Sequence, residues 1–322
     1  MLQAEKTRLP APVQERPIPP PDITPDTPRS QLAVSLGPAT RHYNAPMPII
    51  LPSLARLQDY AQRLHAGITQ PPPAGAKPLH IAGQRCGWIV PAAMAALQPK
   101  GLAHAAGDTW HIGRELAPHS AALAEVCDAV AVTLRDAGCL HGWRNEALDI
   151  YSLAPESPPL GRIERTATRP LGLRTLAVHL NGWTPDGRLW LARRSLTKNT
   201  DPGMWDTLVG GLASSGESLD LALVRESAEE AGLTPEDLAA RTPLRTVVQI
   251  HHHLPEGFQV EDILISRCVL AEHVQPRNQD GEVMEIRALP PLEIMDMLED
   301  GMFTQEAAIV LVDDMLQLAR EA

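Results

Sequence analysis

Aromatic residues are scarce in this sequence of 322 residues, since Phe, Tyr and Trp together make up 3% of it. Hydrophobic residues still account for 44%, so the cores must be built mainly from Leu, Val, Ile and Ala. No apolar run approaches the roughly 18 residues of a membrane span, and the amino terminus lacks the apolar core of a secretory signal. These absences predict a soluble, cytoplasmic protein.

Cysteine is also rare, and the four cysteines are widely scattered without a CxxC pair. This spacing indicates neither a zinc knuckle nor a disulfide framework. We therefore expect buried or half-buried free thiols. The four positions are Cys86, Cys127, Cys139 and Cys268.

An excess of basic residues is missing as well, because the formal net charge is -11. General binding to nucleic acid or to a membrane surface requires a basic face, so we expect neither kind of partner. A local basic patch for a phosphate group remains compatible with this total. The expected partner is a small molecule, and a homodimer is left open.

The chain divides into three parts by composition and periodicity. Residues 1–48 are rich in proline, with eight prolines among the first 28 residues, and are predicted to be a disordered tail. Residues 49–160 are predicted to form a small α+β domain. Its expected elements are a helix over 51–67, strands over 79–81 and 87–90, helices over 92–97 and 120–138, and a strand over 147–153.

Residues 161–322 alternate strand and helix patterns in a different order. Strand pairs are expected over 173–180 with 189–194, and over 246–253 with 263–270. A helix over 218–231 lies between the pairs, and a final helix covers 306–320. This order predicts an α/β fold in which a mixed sheet is sandwiched between helices.

Three carboxylates on the central helix carry the chemical signal. Glu226, Glu229 and Glu230 are at positions i, i+3 and i+4, so they are expected to share one helical face. The opposite face is predicted to pack on the sheet through Leu221, Val224, Ala228 and Ala231. Like charges at this spacing destabilise a helix by about 0.2–0.5 kcal/mol per pair, whereas a divalent cation between them turns repulsion into attraction. Oxygen ligands of this kind suit Mg²⁺ or Mn²⁺.

The residues around the carboxylates strengthen this interpretation. Gly210-Gly211 allows a backbone bend just before the helix, which can bring a carbonyl oxygen toward a metal. Gly232 is placed where a left-handed residue ends a helix. Arg225 is expected to pair with Glu217 and stiffen the loop that enters the helix.

The whole stretch from Gly211 to Leu233 resembles the Nudix box, Gx5Ex7REUxEExGU, at every specified polar and glycine position. Ser227 is the one departure, since a bulky aliphatic residue is usual there. The resemblance implies an α/β/α sandwich and hydrolysis of a diphosphate linkage. It also implies that Glu226, Glu229 and Glu230 bind Mg²⁺ or Mn²⁺ with help from the carbonyl of Gly211 and with Arg225 beside them.

The general base and the phosphate ligands are less defined by the sequence. Glu229 and Glu230 are candidates for the base, and so is Glu282, which is expected in a loop after the sheet. Three basic residues just upstream of the box could contact phosphate oxygens. These are Arg193, Arg194 and Lys198.

Further segments resemble one Nudix subgroup, the proteins related to thiamine pyrophosphokinase, which carry an extra amino-terminal domain. The segments are Gly142–Glu146, Trp190–Ser195, Asp201–Asp206 and Asp280–Val283. No kinase domain follows here, so the resemblance implies hydrolysis of thiamine diphosphate, or of its oxidised forms, to the monophosphate. The alternatives are a Nudix hydrolase of nucleotide sugars or ADP-ribose, and a Nudix ligand sensor without catalysis.

Overall fold

The computed structural model describes residues 49–154, 157–198, 200–279 and 281–321. The proline-rich segment that is predicted to be disordered, residues 1–48, lies outside these ranges, and so does Asp280. The described residues all fall within one compact unit, Ala45–Ala322. Within this part of the chain, no helix has both the length and the apolar character needed to cross a membrane.

The amino-terminal half of the described chain contains a small sheet with the strand order β2-β1-β4-β3. A separate antiparallel pair, β5 and β6, follows it. The elements are α1 (Leu54–His65), β1 (Lys77–Ile81), β2 (Gln84–Ile89), α2 (Pro91–Leu97), β3 (His104–Ala106), β4 (Thr109–Ile112), α3 (Ala121–Asp136), β5 (Ala147–Ile150) and β6 (Gly161–Glu164). The predicted helices and three of these strands, β1, β2 and β5, are confirmed, whereas β3, β4 and β6 were not expected.

Helix α1 does not pack on this small sheet. Its buried Leu57 belongs to the apolar cluster formed with the carboxyl-terminal helices, and Tyr60 Oη donates to the carbonyl of Leu298 at 2.8 Å. The small sheet and α3 have a core of their own, which includes Leu79, Ile112 and Val130. The predicted domain boundary near residue 160 stays a prediction.

The carboxyl-terminal half is built on a larger sheet that, within the described residues, has seven strands. Its central path is β11-β12-β7-β8-β13, with β10 paired to β7 and β9 paired to β8. The elements are α4 (Thr168–Leu171), β7 (Arg174–Trp183), β8 (Leu189–Arg194), β9 (Trp205–Thr207), β10 (Val209–Leu212), α5 (Leu219–Ala231), β11 (Arg245–Leu254), β12 (Gly257–Val269), β13 (Val283–Leu289), α6 (Pro291–Glu299) and α7 (Gln305–Glu321).

The larger sheet is mixed and has helices on both faces. β7 runs antiparallel to β8 and parallel to β12, while β11 and β12 form the second predicted antiparallel pair. Alternate residues of a strand point to opposite faces, so Val178 and Leu180 pack with α5. From the other face, Asn181 Nδ2 and Trp183 Nε1 donate to the buried Asp314 carboxylate of α7 at 3.0 and 2.9 Å. The predicted sheet between two helical layers is therefore confirmed.

The cores match what the composition requires. Among the described residues the buried apolar side chains are mainly Leu, Ile, Val and Ala, with a few large aromatics such as Trp183 and Phe258. Three cysteines are buried and Cys139 is half-buried, and all four are free thiols, as expected.

Candidate active site

Helix α5 begins and ends at the residues that its sequence indicates. Ser218 is the N-cap, and its Oγ accepts a hydrogen bond from the backbone N–H of Leu221 at 3.2 Å. Gly232 ends the helix in the left-handed conformation with a φ of 64°. These two caps fix which residues of the Nudix-like motif are helical.

The orientation of α5 differs in part from the prediction: Val224 and Ala231 pack with the sheet as predicted, whereas Leu221 and Ala228 do not. Its buried residues are Ala222, Leu223, Ser227, Glu230 and Ala231. Leu221, which was predicted to pack on the sheet, is 62% exposed, and Ala228 is exposed as well. The helix is therefore rotated so that part of its acidic face meets β10 rather than solvent.

The three carboxylates consequently lie in different environments. The side chains of Glu226 and Glu230 are only 13% and 10% exposed, whereas that of Glu229 is 51% exposed. Glu226 and Glu230 point toward the sheet, and Glu229 lies at the rim. The shared spacing brings them onto neighbouring positions but does not give them equal access to solvent.

The glycine pair on β10 makes room for the two inner carboxylates. The N–H of Gly210 donates to Glu230 Oε2 at 2.9 Å. A Cβ atom on Gly211 would lie 2.1 Å from Cδ of Glu226, closer than any side chain permits. Glycine at this position is therefore required for the Glu226 carboxyl group to approach the β10 backbone.

Arg225 ties the acidic residues together. Its Nε and Nη2 donate to the two carboxylate oxygens of Glu217 at 2.9 and 3.0 Å, which confirms the predicted pair. Nη1 donates to Glu226 Oε1 at 2.8 Å and to Glu229 Oε2 at 3.1 Å. Nη2 also donates to the carbonyl of Leu212 at 3.1 Å. Arg225 thus connects the loop, strand β10 and helix α5.

Burial sets the protonation behaviour of the inner carboxylates. It raises the pKa of Glu230 to about 8, against the opposing effects of the Gly210 N–H and of Lys198. Burial also raises the pKa of Glu226, while Arg225 works in the other direction. The hydrogen bonds from Arg225 lower the pKa of Glu217. For both inward-facing carboxyl groups, burial therefore outweighs the effect of the nearby cations on the pKa.

The donor set fits a hard divalent cation such as Mg²⁺ or Mn²⁺, because it consists of carboxylate and carbonyl oxygens. As the side chains stand, no three His, Cys, Asp or Glu residues of the described chain are arranged to hold a metal ion. The guanidinium of Arg225 contacts both Glu226 and Glu229. One oxygen of Glu226 and one oxygen of Glu229 thus accept from Arg225, and the predicted metal stays a prediction.

A cavity of about 290 Å³ lies beside Glu230 and is lined mainly by polar and charged side chains. Lys198 connects the two, since its Nζ forms an ion pair with Glu282 and lies 3.9 Å from Glu230 Oε1. The lining residues are Arg144, Arg165, Arg194, Thr197, Lys198, Thr200, Gly281 and Glu282. Four of these side chains are cationic, so the cavity suits an anionic group.

The predicted phosphate ligands occupy different places. Lys198 and Arg194 line the cavity, and Arg194 Nη1 also donates to Asp206 Oδ2 at 3.0 Å. Arg193 is not among the lining residues, because its Nε donates to the carbonyl of Gly203 at 3.0 Å and its guanidinium lies over the Trp205 ring. Neighbouring residues of a strand point to opposite faces, so the side chains of Arg193 and Arg194 on β8 point in different directions.

Glu282, one candidate for the general base, also lines the cavity. Burial acts to raise the pKa of its carboxyl group, but the hydrogen bond from Lys198 and the charges of Arg165 and Arg144 outweigh burial and lower this pKa. Glu282 is therefore held as a carboxylate beside the same lysine that approaches Glu230.

The sequence did not point to several residues around this site. Arg165 follows β6, a strand that the sequence did not predict. Thr197 and Thr200, whose side chains also line the cavity, belong to no motif. Arg144 belongs to a segment that was singled out only for its resemblance to a subgroup. No motif or periodic pattern in the sequence marks Arg165.

Part of this chain is similar in sequence to known proteins. Residues 174–310 match the family model described as NUDIX domain. Nudix hydrolase 20 of Arabidopsis thaliana, named chloroplastic, is 32% identical over 196 residues, which cover 58% of this chain and 50% of that protein. Nudix hydrolase 24 of the same plant, also named chloroplastic, is 33% identical over 188 residues, which cover 57% and 50%.

A solved structure also overlaps this chain. It is DR0079 from Deinococcus radiodurans, with 22% identity, coverage of 55% of this chain and 98% of that one, and a TM-score of 0.39. This chain spans about half the length of the two plant relatives. From the family match and the site, residues 174–310 of this chain form a Nudix domain.

Proposed function

We propose that this Nudix domain hydrolyses a diphosphate linkage with the help of Mg²⁺ or Mn²⁺. One observation carries the proposal: the inward-facing Glu226 and Glu230 lie against Gly210-Gly211, and Lys198 joins Glu230 to a cation-lined cavity. Carboxylates for a metal and cations for phosphate oxygens are the two requirements of such chemistry. Both relatives described above are named as Nudix hydrolases.

Glu226, Glu229 and Glu230 would hold the divalent ion, with the carbonyl of Gly211. When bound, such an ion neutralises diphosphate charge and lowers the pKa of a water molecule. Lys198 and the cavity arginines bind the phosphate oxygens. Arg225 positions the carboxylates, since it contacts Glu217 and Glu226 and the carbonyl of Leu212.

In the reaction, a water oxygen forms a bond to one phosphorus atom while the bond from that phosphorus to the bridging oxygen breaks. The bonding electrons pass to the bridging oxygen, which leaves as part of a phosphate group, and the water proton passes to a carboxylate. Glu229, Glu230 and Glu282 are the candidate bases. Glu282 is the one candidate that is not a proposed metal ligand, so Glu282→Gln tests it separately: if Glu282 is the base, this variant loses kcat and keeps Mn²⁺ binding.

Thiamine diphosphate, or an oxidised form of it, is the substrate that we propose, with the monophosphate and phosphate as products. The support comes from the resemblance of Gly142–Glu146, Trp190–Ser195 and Asp201–Asp206 to the thiamine-related subgroup. The cationic cavity is consistent with a substrate whose diphosphate ends in a free phosphate. The cytoplasmic location predicted from the sequence stays a prediction.

The test is product formation from a panel of diphosphates with Mg²⁺, followed by ³¹P NMR. The panel holds thiamine diphosphate, its oxidised analogues, ADP-ribose and a nucleotide sugar. We expect a thiamine compound to be turned over fastest, and Glu230→Gln to abolish turnover while it keeps an acceptor for the Gly210 N–H. Glu236→Gln removes the same charge from an exposed position and is the control.

Each result has a distinct meaning. If only the nucleotide compounds are turned over, thiamine diphosphate is not the substrate, but the protein is still a diphosphate hydrolase. Full activity in Glu230→Gln would show that hydrolysis does not depend on this site. No turnover of any compound by folded protein that still binds one of them would favour a ligand sensor.

A further inference from the structure

The strand pair β5–β6, which precedes the Nudix domain in sequence, contacts the loop of the Nudix box. Ser214 Oγ donates to Glu146 Oε1 at 3.0 Å, and Ser215 Oγ donates to Asp149 Oδ1 at 2.6 Å. The N–H of Gly216 donates to Asp149 Oδ2 at 3.2 Å. The loop between Gly210-Gly211 and helix α5 is therefore fixed by residues outside the matched domain.

The same strand pair places two arginines in the cavity, Arg144 before β5 and Arg165 after β6. The N–H of Arg144 donates to Glu164 Oε1 at 2.9 Å, so its backbone is fastened to β6. The Nη1 of Arg165 donates to Glu146 Oε2 at 2.7 Å. Glu146 thus links Arg165 to the loop serine Ser214.

The charge of the cavity is not fully compensated. Three of its four cations have a carboxylate partner, in the pairs Arg165–Glu146, Arg194–Asp206 and Lys198–Glu282. The guanidinium of Arg144 is exposed and has no ion pair or hydrogen bond with any residue that the structure describes. Its positive charge is therefore available to a ligand, in a chain whose net charge is -11.

The cavity that holds the two arginines also reaches the acidic centre of the Nudix domain. Arg144, Arg165, Lys198 and Glu282 all line it. Lys198 pairs with Glu282, and its Nζ lies 3.9 Å from Glu230 Oε1 on α5. An anion bound by the two arginines would consequently extend from the cavity toward the acidic face of α5.

We propose that Arg144 and Arg165 bind the terminal phosphate of the substrate, so that this site selects diphosphates that end in a free phosphate over diphosphates esterified at both ends. The selection rests on charge: a terminal phosphate carries up to one more negative charge near neutral pH, because its second pKa is about 6. Arginine also offers two parallel donors to phosphate oxygens. This inference rests on the proposed function for the chemistry but not for the binding.

The first experiment measures binding without turnover. Inorganic pyrophosphate is titrated by calorimetry into the full chain in the presence of EDTA, with wild type, Arg144→Met and Arg165→Lys. We expect Arg144→Met to weaken binding by roughly 10- to 100-fold, the effect of one hydrogen bond to a charged group. Arg162→Met removes an exposed arginine of β6 that does not line the cavity, and it should bind pyrophosphate as wild type does.

The second experiment measures selectivity on the substrate panel. Arg144→Met should raise KM for a terminal diphosphate by about 10-fold or more and change KM for ADP-ribose much less, with kcat within about twofold. Arg144→Lys should restore part of the loss, because it returns the charge without the two parallel donors. Thermal midpoints equal to that of wild type show that the variants are folded.

Two results would overturn the inference: wild type that fails to bind pyrophosphate, or Arg144→Met that binds it as tightly as wild type does. Pyrophosphate binding that depends on Arg144, in a protein without hydrolytic activity, would support the inference and contradict the proposed function. The two failures are thus distinguishable.

Discussion

Ser227 offers a quantitative test of how helix α5 is packed. This residue stands where the Nudix pattern has a bulky aliphatic side chain, and the structure shows it fully buried. Its hydroxyl group has no hydrogen-bond partner among the described residues. We predict that Ser227→Ala stabilises the protein, because it removes a buried polar group and leaves the backbone unchanged.

Two contributions set the size of the effect. A buried hydroxyl group without a partner costs about 1–3 kcal/mol, and alanine gains a few tenths of a kcal/mol over serine inside a helix. Loss of the contacts of one oxygen atom offsets part of this gain. The free energy of unfolding should therefore rise by roughly 1–2 kcal/mol, which corresponds to a Tm increase of about 1.5–3 °C for a chain of this size.

Urea unfolding followed by circular dichroism is the assay, and the midpoint should rise while the slope stays the same. Ser266→Ala is the matched control, because Ser266 is also fully buried but its Oγ donates to the carbonyl of Thr242 at 2.6 Å. The control should lose about 1–2 kcal/mol. Equal destabilisation by both substitutions would refute the reasoning and show that the Ser227 hydroxyl has a partner.

Two further predictions concern the site and the interior. Gly211→Ala should abolish diphosphate hydrolysis with a small change in Tm, because the Cβ of the alanine would displace the Glu226 carboxyl group. Hydrolytic activity retained in a kinetic assay would contradict this prediction. Burial and the nearby Glu261 raise the pKa of Glu306 from 4.5 to about 7. Between pH 4.5 and about pH 7 the folded state therefore binds more protons than the unfolded state, and the free energy of unfolding falls as the pH rises through this range. Glu306→Gln should accordingly gain stability over wild type from pH 4 to 8, by at most about 3 kcal/mol, and a pH-independent difference in urea unfolding would refute it.

The sequence predicts the centre of the site well because its signal is local. Ser218, Glu226, Glu230 and Gly232 are close in sequence, so helical geometry alone fixes their spacing and the two helix ends. The strand pairs around α5 were also predicted, since each consists of two apolar segments that flank a turn, at Pro185–Gly187 and at Pro255–Gly257. Both patterns depend on residues that are close in sequence, and the structure shows the elements that they predict.

The rotation of α5 was not predictable in the same way. Leu221 and Ala228 are apolar, yet both are exposed, while Glu230 and Ser227 are buried. The helix turns its acidic side inward because the glycine pair on β10 leaves space there and supplies an N–H donor for Glu230. This complementarity between two elements is absent from the pattern of either one.

For a related reason, the sequence did not predict that the amino-terminal half contributes residues to the site. Strand β6 is short, and Arg165 directly follows it, so no periodic pattern marks either. Arg144 and Arg165 meet Lys198 only because β5 and β6 pair and contact the loop before α5. Contacts between residues far apart in sequence depend on the tertiary fold, which single-sequence patterns do not contain.

If the acidic residues of α5 hold a divalent ion for diphosphate hydrolysis, the loss of one of these carboxylates should weaken Mn²⁺ binding. Mn²⁺ is titrated into the full chain and the free ion is followed by electron paramagnetic resonance, with wild type, Glu226→Gln, Glu230→Gln and the control Glu236→Gln. We expect wild type and the control to bind Mn²⁺ equally, and each site variant to bind it at least about 10-fold more weakly. Folded wild type that binds no Mn²⁺, or site variants that bind it as tightly as wild type, would contradict this expectation.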